Sequence, residues 1–318
     1  MNERANQDPA VASNRLGVFH RCARHVVFPA TLVAGLLLAR AVLASDAPPE
    51  SVILIWFVMM PWIATLERLL PRHRDWNGSK GDLLADVLYM PTSLVVGGLL
   101  SALFGGLYLF LAIRLQAAVG SPVWPDAWPL AVQVVVACLL AELFAYWPHR
   151  WMHENDFLWR FHSIHHSPRR VYWLNAVRAH PGEHVFRGFV SGIPLAVAGA
   201  PPEVLAYVMV VARMAGLFQH ANIDFALGPF AWIFSIGELH RWHHAADKRL
   251  ADHNFGDTLI VWDAVFGSRH LPADEPAPHD VGLRGLEAFP DGWWAQMRVP
   301  FAWRRLEAAS AARRAASG

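Results

Sequence analysis

Charge is scarce in this chain: only 17% of its 318 residues are Asp, Glu, Lys or Arg. Neither sign dominates, because the formal net charge is +1 and the basic residues are dispersed rather than gathered in a stripe. That excludes a nucleic-acid-binding surface. Cysteine is nearly absent. Cys22 and Cys138 both lie in or beside apolar stretches, so neither a disulfide framework nor a thiolate metal site is expected. No secretory signal pattern opens the chain, and its polar first residues, Met1 to Asn14, read as a disordered cytosolic tail. Flavin, nicotinamide and haem motifs are lacking too, so electrons for any redox chemistry must come from outside. No internal repeat or low-complexity linker is evident, which predicts one domain.

What replaces charge is apolar surface. Hydrophobic residues make up 54% of the chain, above the roughly 45–50% of an ordinary soluble domain. Trp (15) and Phe (18) are abundant, as at membrane interfaces. Four stretches approach the roughly 20 residues needed to cross a bilayer: Val26 to Ser45, Ser51 to Leu70, Val87 to Ile113, and Ala127 to Trp147. They are interrupted only by Arg40, Glu67, Arg68 and Glu142. A fifth stretch, Gly188 to Leu217, is broken by Gly199-Ala200-Pro201-Pro202. Its first half is about eleven residues, too short to span alone, which predicts a re-entrant helical hairpin. The alternative is a fifth and sixth full crossing, with the same topology.

Lys and Arg set the orientation. Arg15, Arg21 and Arg24 precede the first crossing, and Arg72, Arg74 and Lys80 follow the second. Arg150, Arg160, Arg169, Arg170 and Arg178 follow the fourth, whereas the other connections carry only Arg114. The N-terminus and everything after the fourth crossing are therefore expected on the cytoplasmic side. The expected fold is all-α: a bundle of about four transmembrane helices plus the hairpin, under a cytosolic helical cap. Residues 1–25 form a tail, 26–271 the membrane domain and 272–318 a C-terminal tail.

The cap carries the chemistry. Histidines cluster as His149-x-x-x-His153, His162-x-x-His165-His166 and His240-x-x-His243-His244. Positions i, i+3 and i+4 share a helix face, so each cluster is expected to point its imidazoles the same way. Imidazole suits zinc, copper, iron and nickel. Eight such rings are too many for one ion, since a structural zinc takes about four ligands. The spacing predicts a site for two metal ions built almost entirely from nitrogen.

The three boxes in this order resemble the integral-membrane fatty acid hydroxylase and sterol desaturase family. The resemblance covers roughly residues 131–267. It is strengthened by Gln219-His220-Ala-Asn, by Asn254-Phe255-Gly256 and by Trp262-Asp263-x-x-Phe266-Gly267. It implies a non-haem di-iron centre that activates O₂, with His149, His153, His162, His165, His166, His240, His243 and His244 as iron ligands and His220 as a further ligand. It implies a membrane lipid, of sterol or fatty-acyl type, that is hydroxylated or desaturated. An external donor, a ferredoxin-like or b-type cytochrome system, then supplies two electrons.

His180 and His184 are candidate further metal ligands, or groups that orient the ligands, from position alone. His180 and His184 flank Pro181-Gly182-Glu183, which favours a turn or helix start and sets the two rings apart. His253 is expected to hydrogen-bond rather than ligate. His20, His25, His73, His270 and His279 are isolated and read as surface or interfacial residues. Ligand rings need partners on their second nitrogen; Asp224 and Asn254 are expected there, and Glu142, Glu154, Glu238, Asp252 and Asp257 are also near.

Two rival readings remain. His180-x-x-Glu183-His184 formally matches the inverted zinc-protease motif, but the internal Pro-Gly opposes the helix such a site needs, and the boxes would be idle. The other is a non-catalytic metal-binding or transport protein or a degenerate scaffold. Transport predicts ionisable residues lining the crossings, which carry only Arg40, Glu67, Arg68 and Glu142, and degeneracy predicts lost box histidines, yet all eight are present.

Overall fold

The computed structural model describes residues 17–121 and 123–317. The tail expected at Met1 to Asn14 lies outside these. Among the described residues the chain is helical, with isolated β-bridges and no strand. The four expected crossings are helices α1 (Val18–Leu43), α2 (Ile53–Leu69), α3 (Leu83–Val119) and α4 (Leu130–Glu154). A 3₁₀ turn, Pro49–Val52, leads into α2. At 37 residues α3 is about 55 Å long, well beyond a hydrocarbon core of about 30 Å. It stops at Gly120, whose φ of 77° is a left-handed conformation that glycine adopts without strain. Its outward residues are bare leucines and valines such as Leu84, Val95, Leu99 and Leu103. Such a face fits lipid, not water. The protein is an integral membrane helical bundle.

The hairpin arms are α6 (Pro181–Ala198) and α7 (Pro202–His220), with Gly199 in the left-handed turn between them. The first arm is longer than expected. It begins at Pro181, where the ring's fixed φ suits the first helical position and His180 Nδ1 caps the Gly182 N–H at 2.9 Å. The second arm is long and apolar enough to cross, so five helices of spanning length, rather than four, are found among the described residues. α7 lies at the centre, against α1, α2 and α4, and α6 lies against α3 and α4.

Between α4 and the hairpin runs α5 (Asp156–His166), started by Asn155, whose Oδ1 accepts from the N–H groups of Phe157 and Leu158. The short helices α8 (Glu238–His243), α9 (Lys248–Ala251) and α10 (Val261–Phe266) complete the cap. Two buried ion pairs tie the cap to the start of α3. Arg170 grips Asp82 with two bonds of 2.8 Å, and Arg178 Nε lies 2.5 Å from Asp86. Both pairs are well supplied with hydrogen bonds; removing one partner of such a pair costs about 3–5 kcal/mol. The residues beyond Leu271, set apart above as C-terminal, pack on this cap. Ala246 donates to Asp280 O, Gly282 donates to His244 O, and Tyr89 Oη donates to Gln296. The last elements are α11 (Trp293–Gln296) and α12 (Trp303–Ser317).

Candidate metal centre

The C-terminal end of α4, helix α5, the C-terminal end of α7 and helix α8 meet at one end of the bundle. Nine histidines converge there in two nests. His149, His153, His162, His166 and His243 form one; His165, His220, His240 and His244 form the other. Within each nest one nitrogen per ring lies within 4.8 Å of all the others. Nitrogens bound about 2.0–2.1 Å from one ion sit up to about 4.2 Å apart, so each nest is close to coordination size. The nests adjoin: the rings of His166 and His244 stack across the boundary at 4.4 Å.

The boxes divide between nests in a way that corrects the expectation of rings pointing together. Residues i and i+4 are about 40° apart around a helix, but i+3 falls about 100° from i+4. So His162 and His166 share one nest while His165 turns to the other. Likewise His240 and His244 stay together while His243 crosses over.

Five of the nine rings are held by their second nitrogen, whereas the Nδ1 atoms of His220 and His240 are buried without a partner. His149 Nδ1 donates to Phe255 O at 2.6 Å and lies 3.2 Å from Asp257 Oδ1. His153 Nδ1 meets Asp252 at 3.1 Å and His162 Nδ1 meets Glu183 at 3.0 Å. His165 Nδ1 donates to Arg178 O at 3.0 Å, and His243 Nδ1 to His253 O at 2.8 Å. A carbonyl only accepts, so these Nδ1 atoms carry the proton and leave Nε2 as a bare lone pair. The Asp86–Arg178 pair thus places the carbonyl that orients His165.

Those lone pairs test whether a cation belongs here. His149 Nε2 faces His162 Nε2 at 3.1 Å, although both rings spend their N–H on oxygen acceptors. His220 and His244 Nε2 each approach His240 Nε2 to 2.9 Å. The Nε2 atoms of His153 and His243 are buried with no partner at all. Protonation cannot relieve this. Burial, with neighbouring imidazoles, holds His162, His166, His240, His243 and His244 well below the ordinary histidine range and pushes His165 down to about 3. Neutral rings with converging lone pairs are the form that binds metal, so the residues fit two ions.

The loop 252–258 is built to support this arrangement. Asn254, at φ 55°, donates to Leu239 O and His270 O. Asp263 accepts from the N–H groups of Phe255 and Gly256, and Glu142 from those of Asp257 and Thr258. Asn254 therefore shapes the loop without touching a clustered ring. Asp224 holds Arg24 and Arg72 instead of a histidine. Glu238 pairs with Arg241 and Arg72, and Glu154 with Arg150. His253 contributes its backbone carbonyl. Glu183 and Arg187, which bonds both Glu183 and Asp257, were missed as partners of the cluster. The signal is a carboxylate with a basic residue four positions on; in the sequence Glu183 otherwise reads only as part of the inverted zinc-protease motif.

His180 and His184 stay outside the nests. His180 spends Nδ1 on the helix cap and Nε2 on Met297 O, and His184 Nε2 bonds Ser93 Oγ. With Glu183 turned to His162, the residues of the inverted zinc-protease motif do not form a site. His73 and His279 are not isolated: with Asp75 they form a small surface group beside Trp76.

A helical membrane bundle capped by nine convergent imidazoles defines a class, the integral-membrane proteins with a histidine cluster able to hold metal. Residues 134–268 match the model of the family described as Fatty acid hydroxylase. An ornithine lipid hydroxylase of Rhizobium tropici is 35% identical over 87% of this chain and 83% of its own length. An alkylglycerol monooxygenase of Danio rerio is 30% identical over 51% of this chain, which spans only 35% of that protein. A methylsterol monooxygenase of Arabidopsis thaliana is 24% identical over 50% of this chain and 59% of its own. No solved structure matches. The chain belongs to the fatty acid hydroxylase family, and is an oxidoreductase of the lipid-hydroxylase kind.

Proposed function

We propose that the chain is a di-iron hydroxylase that inserts one atom of O₂ into a C–H bond of a membrane lipid. The five-histidine nest holds one iron and the four-histidine nest the other. Lipid C–H, O₂, two electrons and two protons give lipid C–OH and water. A ferredoxin-like or b-type cytochrome system supplies the electrons. The observation that carries this reading is the set of facing Nε2 atoms, which brings His149, His220 and His240 to one wall of a cavity of about 320 Å³ lined also by Ala141, Ala145, Val208 and Val211. Two irons bound there would supply the oxidising power for C–H cleavage.

The chain's own residues do the rest. The Nδ1 partners fix His149, His153, His162, His165 and His243, which is how outer contacts tune metal sites. Ala141, Ala145, Val208 and Val211 give the cavity an apolar side for the reacting carbon, beside a polar side that includes Glu142, Gln219 and Asp257. Hydroxylation is favoured over desaturation because the relatives are named as hydroxylases and monooxygenases, and an ornithine lipid is the first substrate to try. The arginine-rich loops support placing the N-terminus and the nests on the cytoplasmic side.

Isotope labelling tests the reading. With ¹⁸O₂, the product lipid is expected to gain one ¹⁸O, and no product forms anaerobically. Label arriving from H₂¹⁸O, or turnover without O₂, would exclude an oxygenase.

A further inference from the structure

Arg213 lies on α7, in the middle of an apolar crossing and seven residues before His220, about 10 Å along the helix. It lines the 320 Å³ cavity that reaches His149, His165, His220 and His240. It also lines a second cavity of about 610 Å³, which extends between α2, α3, α6 and α7 past Leu94, Leu100 and Phe104. The two cavities meet at Ala176, Arg187, Ala212, Arg213 and Gly216. A Cβ on Gly216 would touch nothing within 4 Å, so the junction is open on that side.

The other charged side chains at this junction already have partners. Arg187 is held by Glu183 and Asp257. Both oxygens of Glu142 accept backbone N–H groups. Arg213 has no hydrogen-bond or ion-pair partner among the described residues; its nearest neighbour of note is the Trp56 ring, 5.5 Å from the guanidinium carbon. Glu50, at the rim of the larger cavity, forms no ion pair with it. An ionisable residue within a crossing faces a cavity and marks a functional contact. A ring face against a guanidinium leaves its edge donors open, and that fork matches a carboxylate or phosphate.

We infer that Arg213 anchors an anionic headgroup of the substrate. This rests on the lipid-hydroxylase reading and narrows it to lipids bearing a carboxylate or phosphate. At ~30 Å³ per water-sized group, the smaller cavity holds about ten such groups. That is a headgroup and its neighbours; the chains extend through the larger cavity.

Lipid binding to the full-length protein in nanodiscs tests the assignment apart from turnover. The probes are an N-oleoyl amino acid with a free carboxylate, dioleoyl phosphatidic acid, and uncharged dioleoylglycerol. Wild type is expected to bind at least one anionic probe better than the neutral one, and the preferred probe tells carboxylate from phosphate. Arg213→Gln should weaken anionic binding about tenfold or more and leave dioleoylglycerol unchanged, while Arg213→Lys restores most of it. Equal binding of charged and neutral probes, or equal weakening of all probes by Arg213→Gln, overturns the anchor. Arg213-dependent anion binding without any O₂-dependent product keeps the anchor and defeats the hydroxylase reading. Turnover of lipids untouched by Arg213→Gln does the reverse.

Discussion

His243→Ala and His240→Ala should each abolish lipid hydroxylation, with losses well beyond the 10–100-fold typical of disturbing an outer contact. The two positions lie one helical turn apart on α8, yet they feed different nests. His243 Nε2 is buried without a partner, and His240 Nε2 is approached by two other rings. Each variant should therefore lose one metal and keep the other. Far-ultraviolet circular dichroism should stay helical, because the nests sit at the end of the bundle. The checks are product formation and metal content on the same preparation. Loss of both metals from either variant would show that the nests are not separable.

Glu183→Gln should lower activity about 10–100-fold and loosen metal retention in the five-histidine nest, because the carboxylate orients His162 and meets Arg187. An amide can still accept from His162 Nδ1, but it no longer balances Arg187. The change separates this account from a zinc hydrolase built on His180, Glu183 and His184. There Glu183 would be the general base, so activity would vanish while metal content held. Here activity falls partly and metal falls with it. Glu183 Oε2 is buried with no partner, so the substituted amide nitrogen is costly to bury, and Glu183→Asp serves as a second variant.

Much of the fold is legible in the chain because bilayer crossing is a matter of length and composition. The four apolar stretches name α1 to α4, although α1 starts earlier and α3 and α4 run further than the apolar runs that mark them. The hairpin was harder. Pro181 and Gly182 disguise a helix start, and counting only apolar residues missed the polar first turn of α6, which faces the cap. Arg213 was passed over for the opposite reason: one charge inside an otherwise apolar run does not disturb the run. In the cap, spacing shows which histidines share a helix. It does not show which nest each enters, because that depends on how α5 and α8 are rotated against α4 and α7. Partners such as Asp252, Glu183 and the carbonyls of Arg178, His253 and Phe255 are set by tertiary packing. Backbone carbonyls in particular carry no side-chain signal, so sequence alone overstates Asp224, Asn254 and Glu238.

The proposed chemistry needs one ion in each nest. Iron analysis of the purified chain, paired with turnover before and after chelation, is the decisive measurement. About two irons per chain are expected, with activity lost on chelation and regained when iron is returned. Full turnover with one iron or none per chain would refute the two-ion requirement.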